Sequence, residues 1–336
     1  MKMNMYKWVE ETIAAPKKKA MPVLTFPSIQ KMGVTVKDLV NSADLQAEGI
    51  IKIAELTDAA AAVSYMDLSI EAEAFGSTIN FSDDEVPTVT GSIVDDEDAA
   101  DELEVPEVGA GRTSLNIEAI RKAAEKINDR PVFAGVIGPF SLAGRLLNVF
   151  ETMYYIVDEP DMVHKVLEKT TEFLINYCKA YKEAGANGVV IAEPLAGLLS
   201  ADPAEEFSAQ YMRKIVEAVQ DEEFLIVYHN CGNSAVHTVD TIKSNGCKVF
   251  HFGNAIDMRD LMPKMPSDVL VLGNIDPSGA FRNGTPEAIY EQTTKLMQDL
   301  CPQYPNFVIS SGCDIPPLAP WENIDSFFKA VADYYK

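Results

Sequence analysis

Short apolar runs rich in Val, Ile and Phe recur along this chain with helix-like segments between them, and that alternation limits the folds open to it. The runs are AMPVLTFP near Pro22, DAAAAVSYMD near Val63, RPVFAGVIGP near Phe133, NGVVIAEP near Val190, EFLIVYHNC near Ile226, CKVFHFGN near Phe250, DVLVLGNID near Leu270 and NFVISSGCD near Ile309. Continuous apolarity marks parallel strands buried on both faces. Between them, SADLQAEGIIKIAELT, MVHKVLEKTTEFLINYCKAYKEAG, AEEFSAQYMRKIVEAVQ and TPEAIYEQTTKLMQDL read as helices, several opened by a Ser, Asp or Thr suited to capping. Eight strand and helix units in succession predict a closed (β/α)8 TIM barrel, an α/β fold that accommodates a chain of 336 residues as one unit. A single barrel domain over residues 1–336 is therefore expected.

One stretch breaks the rhythm. Residues 75–94, FGSTINFSDDEVPTVTGSIV, have the pattern of a β-hairpin inserted after the second strand. The insertion runs on to about residue 110, and between Asp83 and Glu107 it carries eleven acids and no Lys or Arg, which reads as a solvated loop. Residues 1–15 have the pattern of an amphipathic helix, with Tyr6, Trp8, Val9 and Ile13 on one stripe and no apolar signal core. The longest apolar stretch, PVFAGVIGPFSLAGRLLNVF, is interrupted by Gly138, Pro139 and Arg145, so it reads as strand, turn and helix rather than as a membrane span.

Composition narrows the partners. The 28 Lys and Arg against 51 Asp and Glu leave a formal charge of −23, which argues against nucleic acid and anionic membranes. Five cysteines at irregular spacing do not form a disulfide framework and suit a reducing compartment. A cytoplasmic enzyme is the expectation.

In such a barrel the C-terminal strand ends build the active site. Cys178 falls inside a helix, Cys247 precedes the sixth strand and Cys301 the eighth, so only Cys231 and Cys313 are expected at the catalytic mouth. His229 and Cys231 are two apart on an extended strand end, which sends both side chains to one face while Asn230 points away. With Cys313, 82 positions later, they offer one imidazole and two thiolates, a soft set that favours Zn2+ and leaves a tetrahedral site one ligand short. Glu193, at the end of the fourth strand, is expected to be that fourth zinc ligand in the resting enzyme, displaced by substrate, or to cap the following helix or position a ligand. His251 and Asn254, ending the sixth strand, and Asn274 and Asp276, ending the seventh, suit a substrate pocket. His164 and His237 fall in predicted helices and are expected to be structural.

His229-x-Cys231 followed by Cys313 in SSGCDIPP resembles the zinc motif of the methylcobalamin:coenzyme M methyltransferases, barrel enzymes of the uroporphyrinogen decarboxylase superfamily. The resemblance runs from about Pro22 to the C-terminus through DLSIEAEAFG, GPFSLAGRLL, AEPLAG and GNIDPSGAFRNGTPE. It implies one zinc ion, a methylated corrinoid protein as partner and methyl donor, and a small thiol such as coenzyme M as acceptor. The chemistry of the residues agrees: a thiol with an ordinary pKa near about 8.5 is mostly protonated at neutral pH, and binding to zinc deprotonates it. The decarboxylase branch is similar in fold but carries an Arg-rich motif near its first strand, where this chain has VLTFPSIQKMG; its first arginine is Arg112. A polycarboxylate substrate calls for close guanidinium forks. Two further readings stand beside these: zinc-assisted hydrolysis with Glu193 as base, and a corrinoid- or thiol-binding module with no chemistry and a purely structural zinc.

Overall fold

The computed structural model describes residues 3–336, so the first two residues of the expected N-terminal helix lie outside the described residues. Nine strands form among them: β1 (Ala62–Val63), β2 (Thr78–Asn80), β3 (Thr88–Thr90), β4 (Val132–Ile137), β5 (Gly188–Ala192), β6 (Leu225–Asn230), β7 (Val249–Phe252), β8 (Leu270–Ile275) and β9 (Phe307–Ser311). Seven of them make one parallel sheet in the order β1-β4-β5-β6-β7-β8-β9. The expected first strand is the exception to regular pairing. Residues 20–24 run extended between β9 and β1 and close the barrel there, with Met21 N donating to Ile309 O at 3.1 Å and Ala60 N to Ala20 O at 2.7 Å. Pro22 has no N–H to give a ladder. Hydroxyls substitute for the missing ladder bonds: Ser310 Oγ donates to Met21 O (2.7 Å), Ser311 Oγ accepts from Val23 N (3.2 Å), and Thr25 Oγ1 donates to Val63 O (2.6 Å). The fold is a (β/α)8 barrel whose first strand position, residues 20–24, is held by hydroxyl side chains as well as by backbone bonds.

The period of two sorts each strand. On β6, Leu225 and Val227 point into the barrel lumen with Val190, Val249, Leu270, Leu272 and Val308, while Ile226 and Tyr228 pack against the surrounding helices. The lumen is thus a filled core rather than a pore, and the next inward position of β6 is His229. At the opposite end of the barrel, helix Met5–Ala14 buries Met5 and Val9 and sets Trp8 against Phe133, with ring centroids 6.1 Å apart. Tyr6, expected on its buried stripe, lies at its exposed edge.

The expected helices form, with differences of detail. Helix Ala43–Leu56 is capped by Ser42 and helix Pro286–Leu300 by Thr285, each side chain accepting a backbone N–H three residues on. Helix Pro160–Glu183 carries His164, whereas His237 sits in an exposed turn before helix Val239–Lys243 and not in a helix. The insertion after β1 contains the antiparallel hairpin β2–β3, with Ile79 opposite Val89. Part of the acidic stretch departs from the expected loop: Glu97–Glu102 is a helix, N-capped by Asp96, and Lys165 and Lys169 of helix Pro160–Glu183 tie it down through Glu97, Asp101 and the Ala100 carbonyl. No helix among the described residues is long and apolar enough to cross a membrane.

Candidate metal centre

His229, Cys231 and Cys313 come together at the C-terminal ends of β6 and β9. Their ligand atoms all lie within 4.8 Å of one another. Two zinc–sulfur bonds of about 2.3 Å at a tetrahedral angle place sulfurs about 3.8 Å apart, so this spacing suits a single ion. Inward periodicity carries His229 and Cys231 to the lumen side, as Leu225 and Val227 are carried below them. Cys313 reaches the same point because the loops pack backbone to backbone. A Cβ on Gly253 would fall 2.5 Å from Cys231 Cα, and one on Gly312 would fall 2.8 Å from Asn254 N, so neither loop tolerates a side chain there.

The donor set is chemically open. His229 is 3 % exposed, yet neither ring nitrogen has a hydrogen-bond partner among the described residues. A buried imidazole with both nitrogens unpaired is costly unless something binds it. The Cys313 thiol holds Cys231 below its ordinary value, with the His229 imidazole adding to the effect, and Cys313 is held correspondingly high. One thiolate is therefore already favoured, and a cation would favour both. These residues fit a metal of the zinc type. Of the other cysteines, Cys178 and Cys247 are buried away from the mouth and their thiols are pushed up by burial, while Cys301 caps helix Pro286–Leu300.

Glu193 is placed differently from a ligand. It does not join the cluster. Its carboxylate, fully buried, accepts from Phe140 N (2.9 Å), Ser141 N (3.0 Å) and Ser141 Oγ (2.7 Å), and so caps helix Pro139–Leu147 of the neighbouring unit. Burial pushes it up to about 7, against the pull of those hydrogen bonds. Of its expected roles, the structure places it in capping, across to the helix after β4 rather than the segment after β5.

The expected pocket residues divide. His251 lies beside His229, in register on β7 with ring centroids 4.5 Å apart, and its Nε2 donates to Ser311 O at 2.6 Å. Burial and the neighbouring His229 push it down to about 3, which keeps it neutral. Asn274 uses its amide to hold the loop after β7, donating to Gly253 O and Ile256 O at 2.9 Å each. Asp276 caps the turn that follows, accepting from Ser278 N and Gly279 N at 2.8 Å each. Asn254 is exposed at the rim. Only His251 is brought against the cluster; Asn274 and Asp276 are occupied in shaping loops.

Two buried carboxylates escaped the sequence reading. Asp314 follows Cys313 and accepts from Met66 N at 2.6 Å through Oδ2, while its Oδ1 is shielded from solvent with no partner. Glu71, in the motif IEAEAFG, accepts from Ile137 N at 3.1 Å through Oε1, with Oε2 unpaired, and burial pushes it up to about 8. Nearby, Arg112 is 4 % exposed and held by Asp67, Ser69 and Glu73. Nothing in the local sequence distinguishes these acids from the many exposed ones.

Comparison with known proteins places this geometry in context. The family model described as "Uroporphyrinogen decarboxylase (URO-D)" matches residues 5–334. A protein of Methanosarcina acetivorans named methylcobamide:CoM methyltransferase MtbA is 28% identical over 80% of this chain and 78% of its own length. A uroporphyrinogen decarboxylase of Myxococcus xanthus is 29% identical over 73% of this chain and 71% of its own. A solved structure titled as a methyltransferase from Methanosarcina mazei superposes with a TM-score of 0.86 at 22% identity, covering 99% of this chain and 100% of that one. That last likeness concerns the fold.

Proposed function

The chain belongs to the uroporphyrinogen decarboxylase (URO-D) family, and within it we propose that this protein is a zinc-dependent methyltransferase. It moves a methyl group from a methylated corrinoid, carried by a partner protein, to a small thiol such as coenzyme M. The observation that carries this reading is the His229, Cys231 and Cys313 cluster with both imidazole nitrogens unpaired at the catalytic end of a barrel. The name of the Methanosarcina acetivorans relative supports it. We take residues 1–336 to act as one cytoplasmic barrel domain.

His229, Cys231 and Cys313 would hold the zinc, which would supply a Lewis acid that lowers the pKa of a substrate thiol. The chain's own residues do the rest. Cys231 and Cys313 would provide two negative sulfurs that make the site electron-rich and favour a nucleophilic substrate sulfur. His251 stays neutral against His229 and adds no competing charge. In the transfer, a sulfur lone pair of the substrate forms the C–S bond while the carbon–cobalt bond breaks with its electron pair left on cobalt. The thiol proton leaves to solvent, so no general base is required, consistent with Glu193 being occupied at a helix N-terminus.

The decarboxylase reading has the Myxococcus relative in its favour. It lacks guanidinium forks: the segment after residues 20–24 has none, and Arg112 is committed to Asp67 and Glu73. Zinc hydrolysis would need a free base, which Glu193 in its cap does not offer. The test is transfer from free methylcobalamin with metal analysis. The wild-type chain is expected to hold one zinc and methylate a thiol, and Cys231→Ala and Cys313→Ala to lose both. Transfer by a metal-free Cys→Ala variant contradicts the reading.

A further inference from the structure

Cys313 lies on a loop after β9, not on a strand, so something other than a ladder has to hold its sulfur at the cluster. Three hydrogen bonds flank it. Gly312 N donates to Ile275 O at 2.6 Å and Ile315 N to Val23 O at 3.0 Å, both backbone ties to neighbouring barrel positions. The third is made by a side chain: Asp314 Oδ2 accepts from Met66 N at 2.6 Å, which binds the ligand loop to the turn after β1.

That turn has little backbone support of its own. β1 is two residues long, Ser64 N makes the last ladder bond to Phe133 O, and regular structure resumes only at helix Ile70–Ala74. Side chains shape what lies between. Asp67 Oδ1 accepts from Ser69 N at 3.0 Å and from Ser69 Oγ, and Asp67 Oδ2 accepts from Arg112 Nη1. The same guanidinium donates through Nη2 to Ser69 Oγ at 2.8 Å and through Nε to Glu73 Oε2 at 2.6 Å, and its Cζ lies 4.9 Å from the centre of the Phe81 ring, just beyond β2. With the Arg112 and Asp67 side chains 5% and 0% exposed, water is not at hand to replace a lost bond. One planar fork thus serves three acceptors at once, which an ammonium does not do.

We propose that Arg112 is a positioning residue for the metal centre. By fixing Asp67 and Ser69 it sets the turn around Met66, and through the bond from Met66 N to Asp314 it holds Cys313 where its sulfur meets Cys231 and His229. Every step of this connection is a covalent or hydrogen bond, and Arg112 itself touches neither metal nor substrate.

The inference rests on the metal reading of the cluster, and two variants separate them. Arg112→Lys keeps a charge beside Asp67 and loses the fork, while Ser69→Ala keeps the ion pair and removes the hydroxyl between the two. In the metal-free chain, labelling of Cys313 by iodoacetamide relative to Cys231, read by peptide mass spectrometry, should rise in both variants on the order of tenfold, the scale of one charge-assisted hydrogen bond. The buried Cys178 and Cys247 should stay unlabelled and so report an intact fold. In the cobalt(II)-loaded chain, the sulfur-to-cobalt charge-transfer band should fall toward that of a single thiolate, with cobalt affinity down on the order of tenfold to a hundredfold. Variants with the wild-type labelling ratio and band overturn the inference and leave the metal reading standing. Labelling of Cys178 and Cys247 together with Cys313 also overturns it, because Arg112 would then support the fold at large. A wild-type chain that shows no sulfur-to-cobalt band removes the metal reading, and the inference with it.

Discussion

At the scale of single residues, the account rests on buried polar groups whose partners are few and specific. Arg112 and Asp67 form a pair with side chains 5% and 0% exposed. Arg112→Met would leave Asp67 buried without its cation, and should cost about 3–5 kcal/mol in a urea unfolding experiment. Glu71 gives a pH dependence. Burial raises it from 4.5 to about 8, so the stability of the protonated form is fully present below about 4.5 and is lost as pH rises through about 8. Glu71→Gln should flatten that decline when urea midpoints are compared between pH 5 and pH 9; an unchanged slope would mean that Glu71 is ionised in the fold. His229, Cys231 and Cys313 were legible because strand periodicity and the catalytic-end rule both apply to them. Asp314 and Glu71 were not, because burial and a missing partner are properties of the assembled barrel.

At the scale of elements, the site depends on close backbone approaches. Gly253→Ala would place a Cβ 2.5 Å from Cys231 Cα, against backbone that cannot swing aside. The substitution should lower zinc affinity on the order of tenfold or more with the circular dichroism spectrum unchanged, as read by chelator competition. Wild-type affinity in that variant would show that the loop is free to yield. The barrel's closure makes a second case. Ser310→Ala with Ser311→Ala removes the hydroxyls that serve Met21 O and Val23 N, and should destabilise the chain by about 1–3 kcal/mol for each group left unpaired. The segment around Pro22 was legible as a barrel position from its apolarity, whereas its dependence on serines two hundred and more residues away was not. Glu193 shows the same division: its strand-end position was legible, but the helix it caps belongs to another unit, and only packing across β4 and β5 brings them together.

At the scale of the whole molecule, a charge of −23 repels itself. The melting temperature should therefore rise as salt is increased from about 0.01 M to about 0.15 M, over which the screening length falls from about 30 Å to about 8 Å. A falling melting temperature would show that surface ion pairs such as Lys165 with Glu97 outweigh the net repulsion. The alternation of strands and helices was enough to reach the barrel because each unit is local in sequence. The acidic insertion was harder: a run with no cation of its own forms a helix because Lys165 and Lys169, far along the chain, meet it.

The central claim is that this chain binds zinc through two of its own sulfurs and one imidazole and presents it to a thiol. Zinc-edge X-ray absorption on the purified protein, alone and with a small thiol such as coenzyme M, tests it most directly. The account predicts one zinc per chain with two sulfur neighbours and an imidazole, gaining a third sulfur when the accepted thiol is added. No bound zinc, or a shell that the thiol leaves unchanged, would contradict it.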